Sequence, residues 1–296
     1  MAIIKERREY VQRFVRYYER AGASAIHIYF DDERAKCPDI NSDVTKIIPL
    51  DGSFWDKDKP RPDTLESKQK VVYRKALGFV ETKWALIVDC DEFVFGEASI
   101  EKFLAHVPDS VDSINIPTAE AVFGPDDDVN ELYGASSFRL PFRNRKIAKI
   151  VSVLLYGKKG MYFQRGLLGH SQGKQFIRSG RDYPGISVHV TYRGAKPGVI
   201  TVYADELDGL PKMYLGHFDG MSFHRWKEKW MLQITKQTKL DLYEPPRQAQ
   251  RVQLERALKK GGEAPRDLFR EFYSLTRGQK LALCLLRAHV HRRLSI

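Results

Sequence analysis

The segment 84–95, WALIVDCDEFVF, constrains this chain more than any other. A short apolar run stops abruptly at Asp89, Asp91 and Glu92, and apolar residues resume at Phe93. Residues 84–88 read as a buried strand from their length and β-branched content, since periodicity alone cannot separate strand from helix in so short a run. Such a strand delivers two carboxylates, one residue apart, to its C-terminal end. Open α/β sheets bind ligands at that edge. Paired carboxylate oxygens suit a hard divalent cation, Mg²⁺ or Mn²⁺, that bridges to phosphates. The same residues also fit a polar turn that merely closes a strand, so the surrounding chain has to decide.

The surrounding chain alternates between helix and strand patterns. Arg8–Arg20 places Val11, Phe14, Val15 and Tyr18 on one helical face, and Gly22 suits the stop that follows. Residues 25–30, AIHIYF, form a strand ending in Asp31-Asp32, and residues 44–50 form a second, closed by the turn pair Asp51-Gly52. Residues 53–63 read as a loop. Thr64 can cap a helix running to about Val80, with Leu65, Val72, Ala76 and Phe79 near one face. Ser99 can cap a short helix, and Ser113–Ile116 is another strand. This alternation predicts an α/β domain with a mostly parallel central sheet flanked by helices. Asp31-Asp32 and Asp89/Asp91 then share one edge, with one acidic pair for a nucleoside and one for metal and phosphates.

Further on the pattern is less regular. Residues 119–144 mix Gly, Pro and Asp126-Asp127-Asp128 and read as a loop over the site, and residues 146–161 as strand-like pieces. Residues 166–174, GLLGHSQGK, are glycine-rich and end in Lys174. They are not a Walker A loop, because Gln175 stands where Ser or Thr is needed. Glycines and one lysine can still cradle phosphates, although a plain turn fits as well. His189, between apolar residues, reads as a core histidine. So does His217 in YLGHFD when the residues stand alone. Residues 225–239 form an aromatic and basic helix with Trp226 and Trp230, Pro245-Pro246 break the chain, and a helix at 248–260 ends at Gly261-Gly262. A last helix over 279–293 sets Leu281, Cys284, Leu285 and Leu286 against Arg287, Arg292 and Arg293. It suits either a membrane surface or packing back on the domain. The expected division is residues 1–240 as the main domain and 241–296 as a basic helical C-terminal extension.

Charge bears on that extension. Of a net +11, most comes from residues 247–296, where twelve Lys/Arg face four Asp/Glu. Such a tail can meet anionic membrane, an acidic polymer or nucleic acid, or simply be a solvated helical surface. No nucleic-acid module is recognisable, so nucleic acid is not an expected partner. Three widely spaced cysteines without a C-x-x-C argue against a disulfide framework or zinc site and fit a reducing compartment. No run reaches the roughly 18 apolar residues of a spanning helix. The expected location is cytoplasmic, or peripheral on the inner face of a membrane.

In the order of its pieces the chain resembles the GT-A fold glycosyltransferases, in particular bacterial relatives of family 2 and family 92. The opening I-I-K-E-R…F-V-R-Y-Y…G-A…I-H-I-Y-F-D-D is similar to those families' first helix and second strand. Gln69 and W-A-L-I-V-D-C-D-E-F resemble their Q…W…D-x-D-E-F. G-H-S-Q-G-K-Q-F resembles a Gly-His…Gly-Lys-x-Phe segment, and G-H-F-D before a Lys-rich aromatic helix resembles their closing His motif. The resemblance spans roughly residues 3–235, and D-x-D-E-F is its most specific part.

The resemblance implies a metal-dependent enzyme that moves a sugar from a nucleotide-sugar donor, a UDP-sugar being favoured, to a saccharide or lipid-linked acceptor, as in cell-surface polysaccharide synthesis. It implies Mn²⁺ or Mg²⁺ held by Asp89, Asp91 and His217. It assigns Lys5, Asp31, Asp32, Gln69, Asp89 and Lys174 to the nucleotide-sugar. The departing diphosphate gains charge that a cation neutralises. An inverting transfer also needs a general base, for which Glu120, Asp126, His170 and Asp182 are candidates, with His170 and then Asp182 preferred. Glu92 reads as support for its neighbours. Two rival readings stand beside this one. A degenerate domain acting as a binding protein is favoured by Glu6 standing directly after Lys5, where the family has Asn. A haloacid-dehalogenase phosphatase is disfavoured by Phe93 at the Thr/Val place of its motif.

Overall fold

The computed structural model describes residues 1–32, 35–55, 61–181, 183, 185–186, 191–192, 201–204, 207–235 and 245–296. In chain order the elements are β1 (Ala2–Ile4), α1 (Arg8–Arg20), β2 (Ile26–Phe30), β3 (Thr45–Pro49), α2 (Leu65–Leu77), β4 (Trp84–Leu86), β5 (Glu92–Gly96), α3 (Ile100–Ala105), β6 (Ser113–Ile116), β7 (Thr118–Val122) and β8 (Ser137–Arg139). They continue with α4 (Ala148–Tyr156), a 3-10 turn (Gly157–Tyr162), β9 (Lys174–Arg178), β10 (Gly185–Ile186), β11 (Thr191–Tyr192), β12 (Thr201–Tyr203), β13 (Met213–His217), α5 (Phe223–Thr235), α6 (Pro245–Lys260), α7 (Ala264–Tyr273), α8 (Arg277–Leu285) and β14 (His289–His291).

The chain forms two compact units, each discontinuous in sequence. One comprises residues 1–117 and 172–215 together with Ile296, the other residues 118–171 and 216–295. The expected boundary near 240 therefore falls inside the second unit.

In the first unit β1, β2 and β3 are parallel, with Ile4 level with Phe30 and Phe30 level with Pro49. Val88 N–H donates to the Met1 carbonyl at 3.1 Å, so the start of β1 lies beside the residues that lead to Asp89. Helix α1 buries Tyr10, Val11, Phe14, Val15 and Tyr18, the stripe that its periodicity predicts. That stripe grips β5. The Phe14, Tyr17 and Tyr18 rings surround Phe93, with Tyr17 at 4.9 Å, and the Tyr17 and Tyr18 hydroxyls donate to the Val94 and Glu92 carbonyls. Truncating Phe93 to Ala should cost about 3–5 kcal/mol, the usual price for a fully buried aromatic ring. Thr64 caps α2 by accepting from Ser67 N–H, and Ser99 caps α3 in the same way through Lys102.

A second sheet in this unit runs β12-β6-β9-β4. Here β9 is antiparallel to both β4 and β6, whereas β12 is parallel to β6. The mixed α/β class is as expected, but a mostly parallel arrangement holds only for β1–β3. Alternating helix and strand patterns predict parallel neighbours, and they carry no information about a strand inserted from much later in the chain.

The second unit pairs β7, β8 and β14 antiparallel and packs them with α4–α8. Its core is aromatic: Phe269 lies 5.8 Å from Phe123, 5.3 Å from Trp226 and 5.1 Å from Tyr273, ring centre to ring centre.

Five expectations are corrected here. The span 119–144 is not one loop, since it contains most of β7 and all of β8. The acidic run is the connection between them, organised by Asp127, whose carboxylate accepts from the N–H groups of Gly124 and Ser136 and from the Ser136 hydroxyl. Residues 148–156 are helical rather than strand-like, because Ala148, Val151, Ser152 and Leu155 meet the core at helical spacing in spite of their β-branched neighbours. The last helix begins in a Thr276–Gln279 capping box and stops at Leu285 instead of reaching 293. Arg287 then takes a left-handed conformation (φ 53°), and residues 289–291 gain a backbone ladder with β8. Pro245-Pro246 open α6 rather than interrupting the chain before it, as proline in a first helical turn allows. Phe79, expected on the buried face of α2, is 75% exposed because the helix ends at Leu77.

Candidate functional site

In the first unit Lys5, Asp31 and Asp32 follow the C-terminal ends of the parallel strands β1 and β2, and the D-x-D turn follows β4, whose next residues run beside the start of β1. Asp31 N–H donates to the Ile4 carbonyl at 2.9 Å, which fixes the end of β2 against the end of β1. Lys5 and Asp32 follow these strands and approach each other to 3.6 Å. Asp31 is nearly buried and already ion-paired, with Arg61 at 2.5 Å and Lys68 at 3.0 Å. Gln69 is buried in α2, the helix that also carries Lys68. Neither Arg61 nor Lys68 carries a sequence signal, since each lies more than 25 residues from the carboxylate it meets.

At Asp89 the geometry is tighter. The Lys174 ammonium stands 2.7 Å from Asp89 and 3.2 Å from Glu92, and both Lys174 and Glu92 are wholly buried. Glu92 also accepts from Asp89 N–H at 2.7 Å, so it shapes the turn that presents the D-x-D pair. Gly173 is what admits Lys174 here. Its φ is +73°, and a Cβ would lie 2.1 Å from the Ile116 carbonyl oxygen. The glycines of 166–174 thus place a lysine against carboxylates, and the ammonium expected to meet a diphosphate is engaged by Asp89 and Glu92. Burial raises the Asp89 carboxyl; Lys174 opposes that rise, while Glu92 and Asp91 add to it. For Lys174 burial works downward, yet Glu92 and then Asp89 hold the ammonium above its usual range.

The second unit holds the remaining candidates. His170 and His217 lie with their rings 5.2 Å apart. His217 is buried, and its Nδ1 has no hydrogen-bond partner among the described residues. Gly169 makes room for it, since a Cβ there would stand 3.1 Å from the His217 ring and 3.3 Å from Glu120. Glu120 is not available as a base. Its buried carboxylate pairs with Arg139 at 2.6 Å and accepts from the N–H groups of Leu168 and Gly169. Arg139 also donates to the Phe272 carbonyl at 3.0 Å and lies over the Phe163 ring. Asp126 is an exposed turn residue. Asp182 and His189 lie outside the described residues.

A second buried carboxylate, Asp219, went unnoticed in the sequence. It accepts from the Tyr273 hydroxyl and pairs with Arg247 at 2.9 Å and Lys229 at 3.5 Å. Burial alone would raise this carboxyl, but Arg247 and then Lys229 override it and hold it well below the usual carboxylate range. Its place two residues after His217 in GHFD was the one available hint. Asp89 and Asp91 belong to the first unit and His217 to the second.

No family model matches the chain, and no curated protein matches it. Among solved structures, the crystal structure of HddC from Yersinia pseudotuberculosis is similar over 74% of this chain and 84% of that chain, at 15% identity and a TM-score of 0.36. A likeness of that size says nothing about activity.

Proposed function

We propose that the chain is a glycosyltransferase of the GT-A kind, taking a sugar from a nucleotide donor to a saccharide or lipid-linked acceptor with a divalent cation. The observation that carries this reading is that Lys5, Asp31 and Asp32 follow the parallel strands β1 and β2, while Val88 N–H, just ahead of the Asp89-Cys90-Asp91 turn, donates to the Met1 carbonyl at the start of β1. Ligands of open α/β sheets bind beyond the C-terminal ends of such strands. The donor set fits the cation. Asp89, Asp91 and Glu92 offer hard carboxylate oxygen atoms in one short turn, the ligand type that Mn²⁺ or Mg²⁺ prefers. Asp89 and Asp91 would hold the cation, which supplies Lewis acidity toward the departing diphosphate. Lys5 and Asp32 would orient the nucleoside end. Lys174 holds Asp89 in place, and Glu92 sets the turn. His170 remains the preferred base for an acceptor hydroxyl.

One observation favours a binding protein instead: Asp31 and Asp89 already carry cationic partners within the chain. Thermal unfolding with a panel of nucleoside diphosphates, each with and without Mn²⁺, separates the readings, because a ligand that binds only the native state raises its stability. The transferase reading expects a shift for one nucleotide that requires Mn²⁺ and is lost in Asp91→Ala. Absence of a shift with every nucleotide would overturn it.

A further inference from the structure

Helix α4 is apolar on the side turned away from its own core. Ala148, Val151 and Leu155 pack inward with Leu275, Leu283 and Ala288. Ile147, Ile150 and Leu154, at spacings of three and four, point outward and are 48%, 62% and 79% exposed. Met161, in the turn after the helix, is also exposed. Helix α8 rests on the same core through Leu283, and Gln279 ties it to α4 by donating to the Leu155 carbonyl at 2.9 Å. Its outward residues are again aliphatic: Leu281, Leu285 and Leu286 are 63%, 78% and 49% exposed. Soluble surfaces scatter such side chains singly, and a grouped set on two tethered helices marks a contact surface.

Cations dominate the charge around these residues, although Arg277 approaches Asp126 to 3.8 Å and Lys159 pairs with Glu271. Arg143, Arg145, Lys146, Lys149 and Lys158 flank the α4 stripe and are exposed, as are Arg277 and Arg287 at the ends of α8. Residues 143–161 and 277–293 contain no Asp or Glu at all. Arg143, Arg145, Lys146, Lys158 and Arg287 form no ion pair among the described residues. A second copy of the chain is a poor occupant, since a two-fold contact across this face would set each cation against its own kind. The stripe offers aliphatic side chains without the Trp or Tyr anchors typical of protein interfaces. Aliphatic residues rimmed by Lys and Arg are the makeup of helices that lie in the headgroup region of a bilayer. No helix among the described residues is long and apolar enough to cross a membrane.

We propose that the outward faces of α4 and α8 together form a docking surface for an anionic membrane, with Ile150, Leu154 and Leu285 entering the acyl boundary and the flanking Arg and Lys meeting lipid phosphates. This differs from attachment by a basic tail alone, because half of the surface lies at 143–161. It also stands independently of the catalytic reading.

The test is flotation of the full chain with phosphatidylcholine vesicles containing or lacking phosphatidylglycerol. Binding is expected only with the anionic lipid and should weaken steeply as salt is raised. Ile150→Ser with Leu154→Ser and Leu285→Ser should lower the partition coefficient roughly tenfold or more. Arg145→Glu with Lys146→Glu should do the same while the apolar residues stay in place. All five positions are exposed, so unfolding midpoints should match that of the parent chain and separate lost docking from lost fold. Equal flotation of parent and serine variant, or none by the parent, would overturn the proposal. So would a concentration-dependent dimer in light scattering that the serine variant abolishes, because that would make a second copy the occupant.

Discussion

The Lys174 ammonium is wholly buried and lies 2.7 Å from the carboxylate of Asp89. A residue from the glycine-rich segment 166–174 and a residue of the D-x-D turn, 85 positions apart, thus form one electrostatic unit, with Glu92 as its third member. This pairing changes what the lysine is for: it holds the acidic turn in shape before any ligand arrives.

Lys174→Met should therefore destabilise the protein rather than only weaken nucleotide binding. Removing one partner of a buried pair costs about 3–5 kcal/mol, and the lower end is expected because Asp89 keeps part of its side chain in solvent. Urea denaturation measures this. An unchanged midpoint combined with weaker nucleotide binding would restore the lysine to a diphosphate-binding role.

Glu120→Ala should lower stability by about 3–5 kcal/mol, since it leaves the buried Arg139 guanidinium without its carboxylate and two N–H groups without an acceptor. A general base would behave differently, losing turnover with the fold intact. Denaturation and circular dichroism on the same variant tell the two apart.

Gly169→Ala tests how closely His217 is held. The added methyl would press on the His217 ring at 3.1 Å and on Glu120 at 3.3 Å. Overpacking of this kind costs about 1–3 kcal/mol. The His217 ring resonances should move with it in an NMR spectrum, and unmoved resonances would mean that the loop yields instead.

His289 gives a pH signature. Burial, then Lys280 and His291, lower its pKa from 6.5 to about 4. The unfolded chain takes up the proton near pH 6.5 and the folded chain only near 4, so stability is full above 6.5 and falls as pH drops through that window. Below about 4 this contribution levels off. The parent chain should lose stability between pH 6.5 and 4 by an amount that His289→Gln does not. Identical slopes in denaturation series across this range would remove the histidine from the account.

Sequence signals in this chain are local: they hold where both partners of a contact lie within one element. The limits of α1, the Thr64 and Ser99 caps, and strand β6 follow from periodicity and capping chemistry over a few residues. Distant partners were out of reach. Strand β14 replaces the end of a helix only because β8 is there to pair with it, and α4 is a helix because its inward side chains find a core. The ion pairs of Asp31, Glu120 and Asp219 join residues 10 to 37 positions apart, beyond the reach of a single helical turn or strand repeat.

The interleaving of the two units has a consequence for synthesis on the ribosome. Strand β9 fills the space between β6 and β4, so the first unit must wait, with a central strand missing, until about residue 180 has emerged. Residues 118–171 wait longer. The rings of Phe269, Phe272 and Tyr273 that close their core come about a hundred residues after Ser171. From about residue 118 to about residue 180 this chain holds two half-built layers of apolar surface at once, and its nascent form, more than its finished one, is where a chaperone has work to do.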